Sequence, residues 1–423
     1  MWDSLAKLFK IPDLKRKVIF TLLMLVVFRI GAHIPVPGID PKALANVFSQ
    51  GGLLGFLDMF AGGALSNFSI LALGIMPYIN ASIIMQLLTA VVPKLEELAR
   101  SGEEGMDKIT QYTRWGTILL AMIQGFGITV WMENLGVLPV VGWGYRATII
   151  LTLTAGSIFL MWLGDMISDF GVGNGVSLII FGGIVARIAP QMVRTISMIR
   201  VGEINPFLFA VNLVVWILII AMVVEFQEAQ RRIPVQYAKR VVGRRVYGGQ
   251  STHIPIRVIQ GGVIPIIFAS SILLFPATIA QFFQGSSFMK SVADMLSPRS
   301  ALYLSLYAAL IIFFTYFYTA VTFNPAELAD NMKKYGGFIP GIRPGRSTVE
   351  YLDRCLSRIT LWGAIFLAFI AIIPNILVRV TNITTFYFGG TAILIMVGVA
   401  IETVRQLEAQ LLMRHYEGFI RKS

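Results

Sequence analysis

Ten apolar stretches of about 20 residues constrain this chain more than any other feature of its sequence. That length lets an α-helix cross the hydrocarbon core of a bilayer. The composition agrees, because 56% of the 423 residues are hydrophobic and 14% are charged, whereas soluble domains carry about 25% charged residues. The sequence therefore predicts an all-α integral membrane protein with ten transmembrane helices. The stretches lie near residues 18–36, 70–92, 113–132, 147–164, 176–198, 207–226, 262–284, 301–323, 355–374 and 385–405.

The distribution of Lys and Arg predicts the side of the membrane on which each loop lies. If the N-terminus is cytosolic, the inner segments hold 26 of the 35 basic residues and the outer segments hold seven. The other two, Arg29 and Arg187, fall within spans. Because basic residues concentrate in cytosolic loops, we expect both termini and the basic loops at about 227–261 and 324–354 to be cytosolic.

Two apolar segments repeat each other. GIMPYINASIIM at 74–85 and GVIPIIFASSIL at 262–273 share six of twelve residues, and they lie in spans 2 and 7. An offset of five spans inverts the second copy, and inverted repeats place the functional path at the interface of two halves. Chance similarity between apolar segments is the alternative. We expect an N-terminal half over 1–200 and a C-terminal half over 201–423.

The repeated segments carry isoleucines where a pump or ion-coupled transporter would need ionisable groups. Two interpretations remain open: ordinary core packing, or an apolar constriction that closes a pore by excluding water. An ion-coupled secondary transporter remains the alternative function, because such proteins are also built from inverted repeats. The isoleucines at corresponding or helically adjacent positions are Ile75, Ile79, Ile180, Ile184, Ile267 and Ile395.

The sequence offers little for catalysis. It contains no GxxxxGK[ST] nucleotide-binding motif and no HExxH zinc motif. Its three histidines are scattered, and a single cysteine, Cys355, excludes an intramolecular disulfide. We therefore expect no catalytic residue, no metal site and no cofactor.

Several long motifs, in one order between residues 28 and 416, resemble the SecY family of channel subunits of the bacterial protein translocase. The resemblance implies two five-helix halves that close like a clamshell around a channel for unfolded secretory precursors. It also implies a lateral gate between spans 2 and 7 that releases membrane segments into the plasma membrane. The motifs are GALSNFSILALGIMPYINASIIMQLL, ISDFGVGNGVSLIIFGGIVA, AKRVVGRRVYGGQSTHIPIRV, GVIPIIFASSILLFPATIA, FNPAELADNMKKYGGFIPGIRPG and FYFGGTAILI.

The resemblance also assigns roles inside the channel. The six isoleucines correspond to the family's pore ring, and the glycine-interrupted segment at about 51–69 corresponds to its re-entrant plug helix. We expect glycine pairs at 51–52 and 62–63 to act as hinges and Asp58 to keep one face of the plug wet. The predicted plug residues are Leu53, Leu54, Phe56, Leu57, Asp58, Met59 and Phe60.

For the lateral gate, we expect polar side chains to make contacts across a seam that must open and close again. One position departs from the family, because Ile259 stands where many members carry Asn, so a polar latch is lost there. The predicted gate residues are Asn80, Ser82, Gln86, Ile259, Ser270 and Ser271.

The basic loops predict docking surfaces. Residues 229–293 contain no Asp or Glu, and turn signals within this segment predict a hairpin. A topology signal, a nucleic-acid surface and a dock for an acidic protein are all open interpretations. The resemblance implies SecE and SecG as complex subunits, the motor ATPase SecA or the translating ribosome as the energy source, and signal sequences, precursor chains and membrane lipid as further partners. The predicted docking residues are Lys239, Arg240, Arg244, Arg245 and Arg343.

Overall fold

A computed structural model of the chain consists mainly of long helices. The described residues are 11–37, 58, 61–138, 142–237, 240–242, 245–247, 251–282, 291, 295–296, 300–381 and 390–420. In chain order the helices are α1 (Pro12–Gly31), α2 (Met76–Val91), α3 (Pro93–Arg100), α4 (Glu103–Asn134), α5 (Trp143–Phe170), α6 (Gly175–Val201), α7 (Pro206–Glu228), α8 (Ile264–Phe282), α9 (Ala301–Thr322), α10 (Pro325–Lys334), α11 (Arg346–Thr381) and α12 (Gly390–Ile420).

Each of the ten predicted spans overlaps one helix, and α3 and α10 are short connecting helices. By length and composition, seven described helices can cross a membrane, or eight if α2 and α3, which meet at 100°, form one span. The helices α1, with 20 residues, and α8, with 19, account for the other two predicted spans. In chain order, spans 1–10 are α1, α2, α4, α5, α6, α7, α8, α9, α11 and α12.

Helix starts follow local sequence signals. Proline occupies the first turn of α1, α2 and α7, where its missing N–H leaves no helical bond unmade. The Asn174 side chain caps α6 by accepting a 3.0 Å bond from Ser177 N, and Asn205 caps α7 by accepting a 2.9 Å bond from Phe207 N. The connections between spans 4, 5 and 6 are short, and each ends at one of these capping residues.

Span 2 differs from the predicted stretch of 70–92, because its helix begins only at Met76. Residues 61–75 form successive turns instead. Gly74 takes a positive φ of 60°, which suits glycine and interrupts a right-handed helix. Its carbonyl accepts a 3.2 Å bond from the Ser157 hydroxyl of α5, so this turn is fixed to span 4.

The two sets of five spans pack mainly within themselves. Among the first five, α2 packs on α4, α4 on α5, and α1 on both α5 and α6. Among the last five, α9 packs on α8 and α11, and α12 packs on α7 and α11. The principal contacts between the two sets of described helices are α6 with α12, and α8 with α2 and α4.

A small β-sheet connects α7 to α8, which confirms the predicted hairpin. Strand β1 (Gln230–Tyr237) pairs antiparallel with β4 (Ser251–Arg257), and β5 (Gly337–Phe338) pairs with the other edge of β1. Between β1 and β4, β2 (Arg240–Val242) pairs with β3 (Arg245–Tyr247). The sheet has its own core, separate from the main cluster. Its buried residues are Ile233, Val235, Ile256, Ala329, Met332, Ile339, Leu352 and Leu356.

Substitution of Gly156 tests how closely α5 packs against the turn before α2. A side chain at Gly156 would collide with the backbone carbonyl of Ile70. We expect Gly156→Ala to lower the free energy of unfolding by about 1–3 kcal/mol, because backbone must move to make room. Thermal unfolding in detergent measures this. Gly144→Ala on the same helix is the control, since a Cβ there meets nothing within 4 Å, and equal melting temperatures for the two variants would contradict the close contact.

Candidate functional site

Five of the six predicted ring isoleucines lie on four of the helices that join the two sets of spans. Ile79 belongs to α2, Ile180 and Ile184 to α6, Ile267 to α8, and Ile395 to α12. All six side chains are at most 6% exposed and belong to one hydrophobic cluster. The contacts of α6 with α12 and of α2 with α8 thus bring ring positions from both sets into one apolar core.

Ile75 lies just before α2 rather than within it. Its carbonyl nevertheless accepts a 3.1 Å bond from Ile79 N, which is the spacing of the first helical hydrogen bond. Ile75 and Ile79 therefore stay one turn apart on the same face, as the sequence predicted.

The predicted gate residues belong to α2 and α8, apart from Ile259, and the hydrogen bonds of their side chains stay within single helices. Ser270 Oγ donates to Ile267 O at 2.9 Å, and Gln86 Nε2 donates to Ser82 Oγ at 3.4 Å. Ser271 is fully buried, and its hydroxyl has no partner among the described residues. No hydrogen bond joins the described side chains of these gate residues across α2 and α8, whose buried apolar residues belong to the main hydrophobic cluster.

The other gate positions differ in burial. Asn80 and Ile259 are buried, Ser82 is half-buried and Gln86 is exposed. Ile259 precedes α8 and belongs to the main hydrophobic cluster. The apolar side chain of Ile259 therefore fits its local surroundings.

A cavity of about 40 Å³ borders the seam. This volume is enough to admit water. Two carboxamides, of Asn80 and Gln124, face an otherwise apolar lining, and Gln124 of α4 is a residue that the motif comparison missed. A polar residue inside span 3 was the only sequence signal for it. The remaining lining residues are Leu65, Ala72, Leu73, Met76, Ile128, Leu274 and Phe275.

The structure corrects the expectation that Asp58 keeps one face of the plug wet. Asp58 is 1% exposed, and its Oδ2 lies 2.9 Å from Nη1 of Arg187 on α6. Its Oδ1 accepts a 2.8 Å bond from Ser66 N. A carboxylate can be buried when a cation and hydrogen-bond donors replace its water, and here they do. The other predicted plug residues, Leu53, Leu54, Phe56, Leu57, Met59 and Phe60, lie outside the described residues.

The second predicted hinge, at residues 62–63, needs glycine for two reasons. Gly62 and Gly63 have φ values of 66° and 88°, which side chains disfavour. A Cβ on Gly62 would also lie 2.8 Å from the Cα of Gly183 on α6. Arg29 of α1 donates to Gly62 O at 2.7 Å, which fixes this turn beside spans 1 and 5. The first predicted hinge, at 51–52, lies outside the described residues.

The predicted docking residues are partly described. Arg343 is exposed in a turn bounded by Gly341 and Gly345, whose φ values are 81° and 104°. The buried Thr348 donates its hydroxyl to Arg343 O at 2.9 Å, so the turn has a fixed backbone. In the hairpin, Arg240 lies on β2 and Arg245 on β3. Lys239 and Arg244 lie outside the described residues.

Comparison with known proteins identifies the family. A family model described as SecY matches residues 69–404. The protein translocase subunit SecY of Thermus thermophilus is 47% identical over 429 residues, covering 99% of this chain and 97% of the relative. That of Escherichia coli K12 is 48% identical over 423 residues, covering 97% and 95%. This chain belongs to the SecY family.

Solved structures show the same fold at much lower identity. One is a SecY protein whose plug domain stabilises the closed state of the translocation channel and maintains a membrane seal. Its TM-score is 0.66 at 18% identity, and the match covers 93% of this chain and 92% of that chain. Another is Sec61 in a canine ribosome–channel complex from the endoplasmic reticulum, with a TM-score of 0.60, the same identity and the same coverage.

Membership of the SecY family makes the chain a multi-pass membrane subunit of a protein translocase and a protein-conducting channel. The predicted ten-helix clamshell is confirmed as its fold class. The ion-coupled transporter is not favoured. The features described above therefore belong to a channel that conducts polypeptides.

Proposed function

We propose that unfolded polypeptides cross this SecY channel between its two halves, residues 1–200 and 201–423, through a constriction formed by the six ring isoleucines. The observation that carries this proposal is the position of the ring. Five of its residues lie on α2, α6, α8 and α12, which make contacts between the halves, Ile75 directly precedes α2, and all six are buried in the same hydrophobic cluster. Ordinary core packing would not require isoleucines at repeated positions of both halves.

An apolar ring suits a polypeptide of any sequence. Charged rings would retain some segments and repel others, whereas branched apolar side chains pack loosely around each residue as it passes. An apolar constriction also excludes water when it is empty. An extended chain carries unpaired backbone groups that cost several kcal/mol each in lipid, so the path on either side of the ring must be aqueous.

The seam between α2 and α8 is the lateral gate. A segment of about 20 apolar residues gains free energy by entering lipid, whereas one central Arg, Lys or Asp costs about 2.5–3.5 kcal/mol. A channel that opens sideways lets each segment partition by this difference. Apolar packing suits such a seam, because contacts of this kind are non-directional and re-form without restoring hydrogen-bond geometry.

The segment at about 51–69 is the plug, which closes the channel on the outer side of the ring. The N- and C-termini and the basic loops face the cytosol of a bacterium, as the distribution of Lys and Arg predicts. SecA or the ribosome supplies the energy and docks on the two basic loops, and SecE and SecG complete the complex. Signal sequences, precursor chains and membrane lipid are the remaining partners. A ribosome complex of the structurally similar Sec61 supports this assignment.

Crosslinking tests the path. We expect photo-crosslinkers placed at Ile79 and Ile267 both to capture a secretory precursor stalled by a folded C-terminal fusion, because ring residues contact every passing segment. Leu218 is the control, since it is 57% exposed on span 6 and faces away from the proposed path. Capture from Leu218 but not from Ile79 and Ile267 would refute the ring.

Arg343→Glu tests the second docking loop. We expect it to abolish SecA-driven transport of precursor into inverted membrane vesicles, because the exposed guanidinium is replaced by a charge that repels an acidic partner surface. Arg346→Glu is the matched control, as Arg346 is also exposed and lies on the first turn of α11. Unchanged melting temperatures establish folding, and equal loss of transport in both variants would indicate a general charge effect instead of docking by Arg343.

Ile259→Asn tests the gate. We expect the variant to insert marginally hydrophobic segments less readily, because a carboxamide at the seam adds a polar latch that apolar packing lacks. A series of test segments graded in hydrophobicity measures the insertion threshold. Ile259→Leu keeps the position apolar and should leave the threshold near that of the unmodified chain, so identical thresholds for the Asn and Leu variants would argue against a role in gating.

A further inference from the structure

The most deeply buried charge described in the structure belongs to the segment assigned as the plug. Asp58 is 1% exposed, and each of its carboxylate oxygens has a partner, Arg187 Nη1 at 2.9 Å and Ser66 N at 2.8 Å. Gly63 N also donates to Asp58 O at 3.0 Å. The carboxylate therefore has lost its water and depends on these partners.

Two arginines from the interior of spans contact this short segment. Arg187 of span 5 binds Asp58, and Arg29 of span 1 donates to Gly62 O at 2.7 Å. Ionisable residues are rare inside transmembrane helices and mark functional sites. Two unrelated spans thus place their cations on residues 58–62.

The backbone after this segment is tied to the same half of the protein. Val36 N donates to Phe68 O and Ile70 N donates to Ile34 O, each at 3.0 Å, which joins residues 68–70 to the end of α1. Gly62 and Gly183 approach so closely that neither has room for a Cβ. Outside the segment itself, the polar groups that hold residues 58–70 are Arg187 of span 5, Arg29 of span 1 and the backbone just after span 1. Separation of α2 from α8 would leave them intact.

We propose that the Asp58–Arg187 ion pair is an electrostatic lock that holds the plug to the N-terminal half, so that the channel seal and the lateral gate are released separately. This proposal rests on the function proposed above. Breaking a buried ion pair leaves two charges without partners unless water replaces them. The lock therefore stays closed beside a dry ring and opens when an entering polypeptide brings water to this depth.

The lock sets the ion leak of the idle channel. We expect Asp58→Asn and Arg187→Gln each to raise that leak at least tenfold, because the first removes the charge that Arg187 binds and the second leaves the buried Asp58 carboxylate without its cation. Ion flux into vesicles containing the complete translocase measures the leak. The double variant should leak less than the two single effects combined predict, since coupled partners are non-additive. In all three variants, the hydrophobicity that a test segment needs for insertion should change less than twofold.

Glu133→Gln is the matched control. Glu133 forms a partly buried ion pair with Arg146 at 2.8 Å, joining spans 3 and 4 without contact to the plug segment. We expect its leak to equal that of the unmodified channel. A leak in Asp58→Asn no greater than in Glu133→Gln would overturn the lock, as would a parallel shift of leak and insertion threshold.

A covalent replacement tests the lock without leaving a buried charge. In a Cys355→Ser background, which removes the single native cysteine, Asp58→Cys and Arg187→Cys can be joined by a reducible bismaleimide. We expect the joined channel to secrete at least tenfold less precursor and to recover after reduction. Undiminished secretion by the joined channel would refute the lock. If every form, including the unmodified chain, neither secretes precursor nor leaks ions, the proposed channel function is refuted instead.

Discussion

The need to satisfy every backbone polar group away from water governs this structure. In lipid, an α-helix meets that need within a single segment, so the chain crosses as helices. Irregular backbone at membrane depth is tolerated only where protein surrounds it. Residues 61–75 obey this limit, because they form turns whose side chains Ala64, Phe68 and Leu71 are at most 1% exposed. The turn at Gly74 further uses a side-chain donor, Ser157, from the neighbouring span.

The same low dielectric environment explains where the chain places its charges. The proposed isoleucine ring would exclude ions, because they would lose their hydration there. Next to such a region, an unpaired carboxylate would be costly, and Asp58 is accordingly matched by Arg187 and by a backbone N–H. Charges without buried partners, such as Arg343, lie instead on exposed turns. The proposed apolar ring and the buried ion pair thus both follow from the cost of placing an unpaired charge in a low dielectric environment.

The sequence alone predicts those features that depend on neighbouring residues. Stretch length predicted a helix at each of the ten positions, and turn residues predicted the hairpin of β1 and β4. Gly62 and Gly63 have positive φ values, and a hinge there stays a prediction. Features that depend on distant partners were not predicted. The burial of Asp58 requires Arg187 from another helix, and the role of Gln124 in the cavity beside the seam requires α4 to lie against α8. The late start of α2 depends on a turn held by α5.

The positions of Ile79 and Ile267 explain why a ring alone is an incomplete seal. These residues lie on α2 and α8, the helices that also border the lateral gate. If the proposed ring and gate share these helices, separation of α2 from α8 widens the ring at the same time, and a membrane segment would not partition into lipid without opening a path for ions. Residues 58–62, which Arg29 and Arg187 bind, are held to spans 1 and 5 and not to that seam. Anchoring the seal on one half lets the gate sample lipid while the aqueous path stays closed.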